Sequence, residues 1–127
     1  MTRAEAFEKA WRLAFKEDDF SLFDEIYHPD FKGFPPVAEV EVDLCGLREV
    51  ARTMKDFVIN SPVETAVGDD TFLKLNRFNK LKEADIFNLV TVTLNYKDGK
   101  IIYQEVDFEE LNYDPSEGQD WNWEDYE

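Results

Sequence analysis

Glu105 and Asp107 stand two residues apart in an extended, largely apolar segment near the end of the 127-residue chain. By type and spacing they are the residues best suited to move a proton. A two-residue turn at Asp98-Gly99 pairs Lys97 with Lys100, Tyr96 with Ile101 and Leu94 with Tyr103. Carried on, that register sets Val92 opposite Glu105 and Val90 opposite Asp107, and residues directly opposite share a face. One face would then carry Ile86, Val90, Val92, Leu94, Ile101 and Tyr103 with both acids. The other would carry Phe87, Leu89, Thr91, Thr93, Gln104, Val106 and Phe108. A carboxylate among valines and leucines is desolvated and its pKa rises, which suits acid or base work at a carbon or a hydroxyl. Tyr27 and Tyr103 are the candidates to orient a ligand oxygen, with Val90 and Val92 as apolar wall. The plainer reading puts both acids in solvent at a strand end. A three-residue turn would shift the register and undo the assignment.

Other reactive residues argue less. His28 precedes Pro29 and reads as ordering a turn, and Cys45 beside Gly46 has no accompanying base and reads as a small buried hydrophobe. There is no metal-ligand cluster, phosphate loop or nucleophile elbow in the sequence, so the expected chemistry calls on no metal and no cofactor.

The elements that must position these residues come in a definite order. Phe7, Ala10, Trp11, Ala14 and Phe15 recur at helical spacing, with Thr2 as N-cap and Glu5 completing a capping box. Phe20, Leu22, Phe23, Ile26 and Tyr27 predict a second short helix that stops at His28, because the residue before a proline is pushed out of the α region. Residues 29–43 read as loop with one extended piece over Val37 to Val42. Asp43 caps a third helix over residues 44–58, ended by Asn60-Ser61-Pro62. Strands follow at about Val63 to Val67, Thr71 to Phe78, Asp85 to Tyr96 and Lys100 to Phe108. Helices first and strands after predict an α+β domain with helices covering one face of an antiparallel sheet.

A chain of this length forms one core without disulfides, and with one cysteine no internal disulfide exists, so a reducing cytoplasm is the simplest setting. The N-terminal residues lack the apolar core of a secretory signal, and no run of about eighteen apolar residues is present to cross a membrane. The net charge is −15, but ten of the 29 acids and none of the 14 bases lie from Glu105 onward, leaving −5 for residues 1–104. With no cluster of Lys and Arg, binding to a phosphate backbone is disfavoured. The body therefore divides as residues 1–111, with an acidic tail over 112–127 that also holds Tyr113, Trp121, Trp123 and Tyr126. Those aromatics exceed what solvation needs, so the tail is expected to dock across the sheet, over a pocket mouth or onto a partner.

The stretch from Trp11 through Phe15, Phe20 and Phe23 to Tyr27-His28-Pro29-Asp30-Phe31 resembles the opening of the NTF2-like superfamily, in particular its SnoaL-like members. Gly46-Leu47-Arg48-Glu49-Val50 resembles that family's third helix, and Lys97-Asp98-Gly99-Lys100-Ile101-Ile102 its final hairpin. The resemblance implies a cone: three N-terminal helices packed on a strongly bent, mostly antiparallel sheet, with a pocket inside. Its members include polyketide cyclases, steroid isomerases, dehydratases, transport factors and subunits that only dimerise, so fold alone does not assign function. Where the steroid-isomerase type carries an aspartate this chain has Gly33-Phe34-Pro35, and where the dehydratase type has pocket histidines it has only His28. Neither chemistry carries over.

The resemblance implies a protein that takes a small apolar or partly polar ligand and pairs as a homodimer through its sheet. As an enzyme it would isomerise, cyclise or dehydrate without a cofactor, with Asp107 or Glu105 as acid or base. The alternative is a non-catalytic binding or assembly module acting through protein partners. The pocket discriminates: converging polar groups favour the first, a cavity filled by Phe and Trp the second.

Overall fold

A computed structural model describes residues 2–34 and 40–126. Helix α1 (Arg3–Glu17) opens on the expected capping box, the Thr2 hydroxyl accepting from the Glu5 amide at 3.1 Å and the Glu5 carboxylate from the Thr2 amide at 3.3 Å. It ends where Asp18 turns left-handed, at φ 51°. Helix α2 (Ser21–Ile26) leads directly into strand β1 (Tyr27–Phe34). After β2 (Val42–Asp43) comes α3 (Leu44–Met54), where the Asp43 carboxylate accepts from the Gly46 amide at 2.9 Å. Strands β3 (Val58–Asn60), β4 (Thr65–Gly68), β5 (Phe72–Leu81), β6 (Phe87–Lys97) and β7 (Lys100–Leu111) complete the sheet, and a short 3-10 turn covers Trp123–Asp125.

The strand order is β2-β1-β7-β6-β5-β3, with β4 also paired to β5. Every pair is antiparallel except β1 with β7. Three helices pack against this strongly curled mixed sheet, which is the expected α+β cone. The core fills the space between them: Phe7, Trp11 and Phe23 from the helices meet Leu75, Val92, Leu94 and Ile101 from the sheet.

Several expectations are corrected. Residues 29–34 are strand rather than loop, and of the expected Val37 to Val42 piece only Val42 lies in a strand, residues 37–39 falling outside the described residues. Pro29 is tolerated because it sits in the irregular stretch of the β1–β7 ladder between Tyr27 and Lys32, where a missing amide breaks no pairing. The third helix stops at Met54, a turn later β3 begins, and Cys45 is exposed, since it faces away from the buried Leu47–Ala51 stripe.

The register of the last hairpin carries the largest correction. Its turn is as expected, with Asp98 at φ 55° and Gly99 at φ 78°, and Lys97–Lys100 and Tyr96–Ile101 pair as expected. Then β7 holds one extra residue: Asn95 pairs with Tyr103, so Leu94 faces Gln104, Val92 faces Val106 and Val90 faces Phe108. A bulge of one residue moves every later side chain to the other face. Gln104, Val106 and Phe108 therefore point into the cone, and Tyr103, Glu105 and Asp107 point out of it.

Gly33 lies opposite Gln104 where β1 packs closely on β7. A Cβ there would lie 2.7 Å from Cζ of Phe31 and 2.8 Å from the carbonyl oxygen of Gln104. Gly33→Ala is expected to cost about 1–3 kcal/mol, the range for forcing a methyl into a packed site. Gly99→Asn, in open space and of a type that accepts positive φ, should be near neutral. Urea denaturation of both variants tests this, and equal losses would refute it.

Candidate functional site

The inner wall of the cone is built by strand alternation. On β5 the inward residues are Leu73, Leu75, Arg77 and Asn79, and across from them on β6 stand Leu94, Val92, Val90 and Asn88. Asn60 of β3 pairs with Asn79, and Gln104 enters from β7 through the bulge. Helix α1 contributes Trp11, and α3 contributes Leu47, Val50 and Met54. Polar groups from three strands thus converge on an apolar-walled cleft.

Each polar group has a different status. Tyr27 is fully buried: Trp11 Nε1 donates to its hydroxyl at 3.0 Å, and that hydroxyl donates to Gln104 Oε1 at 2.6 Å. Burial pushes the phenol pKa well up, so it stays a neutral donor. The chain Trp11–Tyr27–Gln104 ties α1, β1 and β7 together and fixes the Gln104 amide. Asn79 accepts from the Asn88 side-chain amide at 3.0 Å.

Arg77 is the exception. It is 7 % exposed, its Nε has no hydrogen-bond partner, and none of the ion pairs among the described residues involves it. Its guanidinium lies 5.3 Å from the Phe7 ring centre and 5.8 Å from that of Trp11, so aromatic faces screen one side. Burial lowers its pKa to about 10, against weaker upward pulls from Tyr27 and Glu8, and it remains a cation at neutral pH. The sequence carried a signal for it: Arg77 follows Leu73 and Leu75 at strand alternation, which puts it on the face they bury.

Two clefts reach Arg77, and both are lined by Trp11 and Asn60 as well. One opens past Val50, Met54 and Phe108; the other lies toward Glu8, Arg12 and Lys16, with Tyr126 at its lip. Each has an inner void of about 20 Å³, room for about one water. Among the described residues no group of His, Cys, Asp or Glu is arranged to hold a metal, and no helix is long and apolar enough to cross a membrane.

Of the residues selected from sequence, Tyr27, Val90 and Val92 are brought together in the core, with Val90 and Val92 lining the cleft. Glu105 and Asp107 are exposed on the outer face, so the desolvation argument does not reach them. Tyr103 shares that outer face and donates to Glu105 at 3.0 Å. The bulge separates these three from the cone, while Arg77, Asn60, Asn79 and Gln104 were not selected at all.

The tail docks on its own domain. Trp121 and Trp123 are buried against Ile59 and Phe87, with Trp123 stacked on Phe87 at 6.1 Å. Tyr126 lies beneath Arg12 and Lys16 of α1, and Lys16 Nζ donates to the Asp125 carbonyl at 2.9 Å. Asp114 Oδ1 accepts from Trp123 Nε1 at 3.0 Å and from the Ser116 amide and hydroxyl at 2.9 and 2.7 Å.

No family model matches the chain, and no curated protein matches it in sequence. Solved structures do. An NTF2-like protein from Anabaena variabilis superposes with a TM-score of 0.66 at 14% identity, over 83% of this chain and 84% of that one. An LEH-like epoxide hydrolase from M. tuberculosis gives 0.62 at 16% identity, over 84% and 81%. An NTF2-like protein from Cytophaga hutchinsonii gives 0.64 at 11% identity, over 86% and 92%. The chain has the NTF2-like fold. At these identities the likeness speaks for the fold.

Partial burial of Asp114 works to raise its pKa, but hydrogen bonds from Ser116 and Trp123 outweigh it and hold the carboxyl below the ordinary aspartate range. A depressed folded pKa adds stability that is fully present above the unfolded value near ~3.9 and lost as pH falls through the lower folded one. Asp114→Asn should therefore be less stable than wild type at neutral pH, with the gap closing below about pH 4. Denaturation followed by tryptophan fluorescence reads it, and a gap independent of pH would show that the charge is irrelevant to docking.

Proposed function

We propose that this chain binds a small, partly polar molecule inside the cone, entering past Val50, Met54 and Phe108. The observation that carries this reading is the convergence of Arg77, Asn60, Asn79 and Gln104 on a cleft walled by Val90, Val92 and Leu47. An apolar pocket with a few converging polar groups is the usual form of a small-molecule site. The narrow inner void bounds what enters: a polar headgroup goes in first, and side chains at the rim move for the remainder. Phe108 is suited to that, pointing inward yet 42% exposed. The M. tuberculosis neighbour is described as an LEH-like epoxide hydrolase, which supports a cone of this kind serving small-molecule chemistry. Among the described residues lining this cleft there is no carboxylate or histidine. The reading is therefore of ligand binding, and acid–base catalysis by Glu105 or Asp107 would need them to act from the outer face.

Val50→Trp tests the reading, because it places a large side chain at the half-buried rim and leaves the inner wall intact. Carbonyl, polyketide-like, steroid-like and lipid-like compounds are screened by thermal shift. A compound that raises the wild-type melting temperature by several degrees should lose that effect in Val50→Trp. Equal shifts in both proteins, or none from any class, would move the assignment to an assembly module.

Pairing of two copies through the outer sheet face belongs to the same proposal. Lys74, Thr93 and Glu105 form one cross-strand row on that face, and Asn76, Thr91 and Asp107 the next. Cation at one end and acids at the other make the face self-complementary under a two-fold axis. Light scattering should give a dimer at low salt, and Lys74→Glu should favour the monomer. A wild-type monomer at all salt concentrations rejects the pairing.

A further inference from the structure

We propose that the ligand of the cone carries an anionic oxygen, a carboxylate or an enolate, and that it docks on Arg77; this rests on the binding reading above. A guanidinium offers a fork of N–H donors and no acceptor, and it does not shed its charge in proteins. Burying such a group without an anion is costly, and structures normally pair it or hydrate it. Here Nε has no partner and no carboxylate is paired with the side chain among the described residues. Glu8, the acid whose charge Arg77 feels, is already committed: it pairs with Arg12 at 3.3 Å and accepts from the Val63 amide at 2.9 Å. Phe7 and Trp11 lie against the guanidinium, and Arg77 lines both clefts, including the one walled by Val90, Val92 and Leu47.

The shape of the site narrows the class. A void for about one water takes one oxygen of a carboxylate beside Arg77, and no ring, before rim side chains move. The guanidinium fork matches a carboxylate with two parallel hydrogen bonds. Beyond that headgroup the wall is Val90, Val92 and Leu47, and the rim is Met54 and Phe108. The ligand is thus a small organic acid with a short apolar tail, held by its charge at the centre and by its tail at the mouth.

The test is a matched set of probes, hexanoate, hexanamide and hexanol, titrated at constant ionic strength against the full chain. Wild type should bind hexanoate about tenfold or more tightly than hexanamide, a ratio that reports the charge and not the tail. Arg77→Met, which keeps an apolar stem against Phe7 and Trp11, should lose that ratio and be at least as stable as wild type without ligand. Arg77→Lys, which keeps the charge without the fork, should retain part of it. The proposal is overturned if the amide binds as well as the acid, if the ratio survives in Arg77→Met, or if no carboxylate binds. Neutral probes that still bind and are excluded by Val50→Trp would leave the pocket standing without its anion, whereas no binding by any probe would remove both.

Discussion

The fold turns on one extra residue in β7. Because Asn95 pairs with Tyr103 rather than with Ile102, every side chain from there to the end of the strand changes face. Gln104 becomes an inward residue and can accept from Tyr27, which in turn accepts from Trp11. That short relay joins the first helix to the parallel β1–β7 pair around which the sheet curls. Without the bulge Tyr103 would stand opposite Leu94, where the Gln104 amide now closes the relay, and Glu105 would enter the core opposite Val92. The close packing at Gly33 serves the same junction, since it lets β1 lie against the Gln104 backbone.

Around that frame, stability and ligand recognition are opposed at Arg77. The polar groups around it are satisfied: the Tyr27 hydroxyl, the Asn79 carbonyl and the Trp11 indole all have partners, and among the described residues the other buried side-chain nitrogen without one is Nε of the part-exposed Arg48. The buried guanidinium gains the aromatic faces of Phe7 and Trp11 and a weaker pull from Glu8, which offset part of its lost hydration. An apolar residue at that position would serve the core better. Such local conflicts are where function is expected to reside.

The acidic tail belongs to the domain and reconciles charge with burial. Its two tryptophans extend the sheet's outer face into a second apolar cluster with Ile59 and Phe87, while most of its acids stay in solvent. Asp114 is put to structural use, accepting the indole N–H that burial would otherwise strand. Tyr126 then reaches α1 under Arg12 and Lys16, beside one cleft leading to Arg77.

Local sequence determined much of this protein. The capping box at Thr2, the Asp43 cap, the left-handed Asp98-Gly99 turn and the helical stripe through Phe7 and Trp11 depend on neighbours a few residues away, and each is legible as such. The helix-then-strand order was enough to expect an α+β domain with helices on one face of a sheet, and the family resemblance added the cone. What tertiary structure decided is what depends on distant partners. Pro29 and Gly33 read as loop signals, yet β1 is a strand because β7 offers it a parallel edge. Glu105 and Gln104 are adjacent in sequence, and only the bulge, a choice made by pairing across the hairpin, sends one to solvent and the other into the cone. Arg77 was visible as an arginine in an alternating strand. That it lies buried and unpaired follows from the helices folded over it, because the cost of burying a charge is set by every group around it.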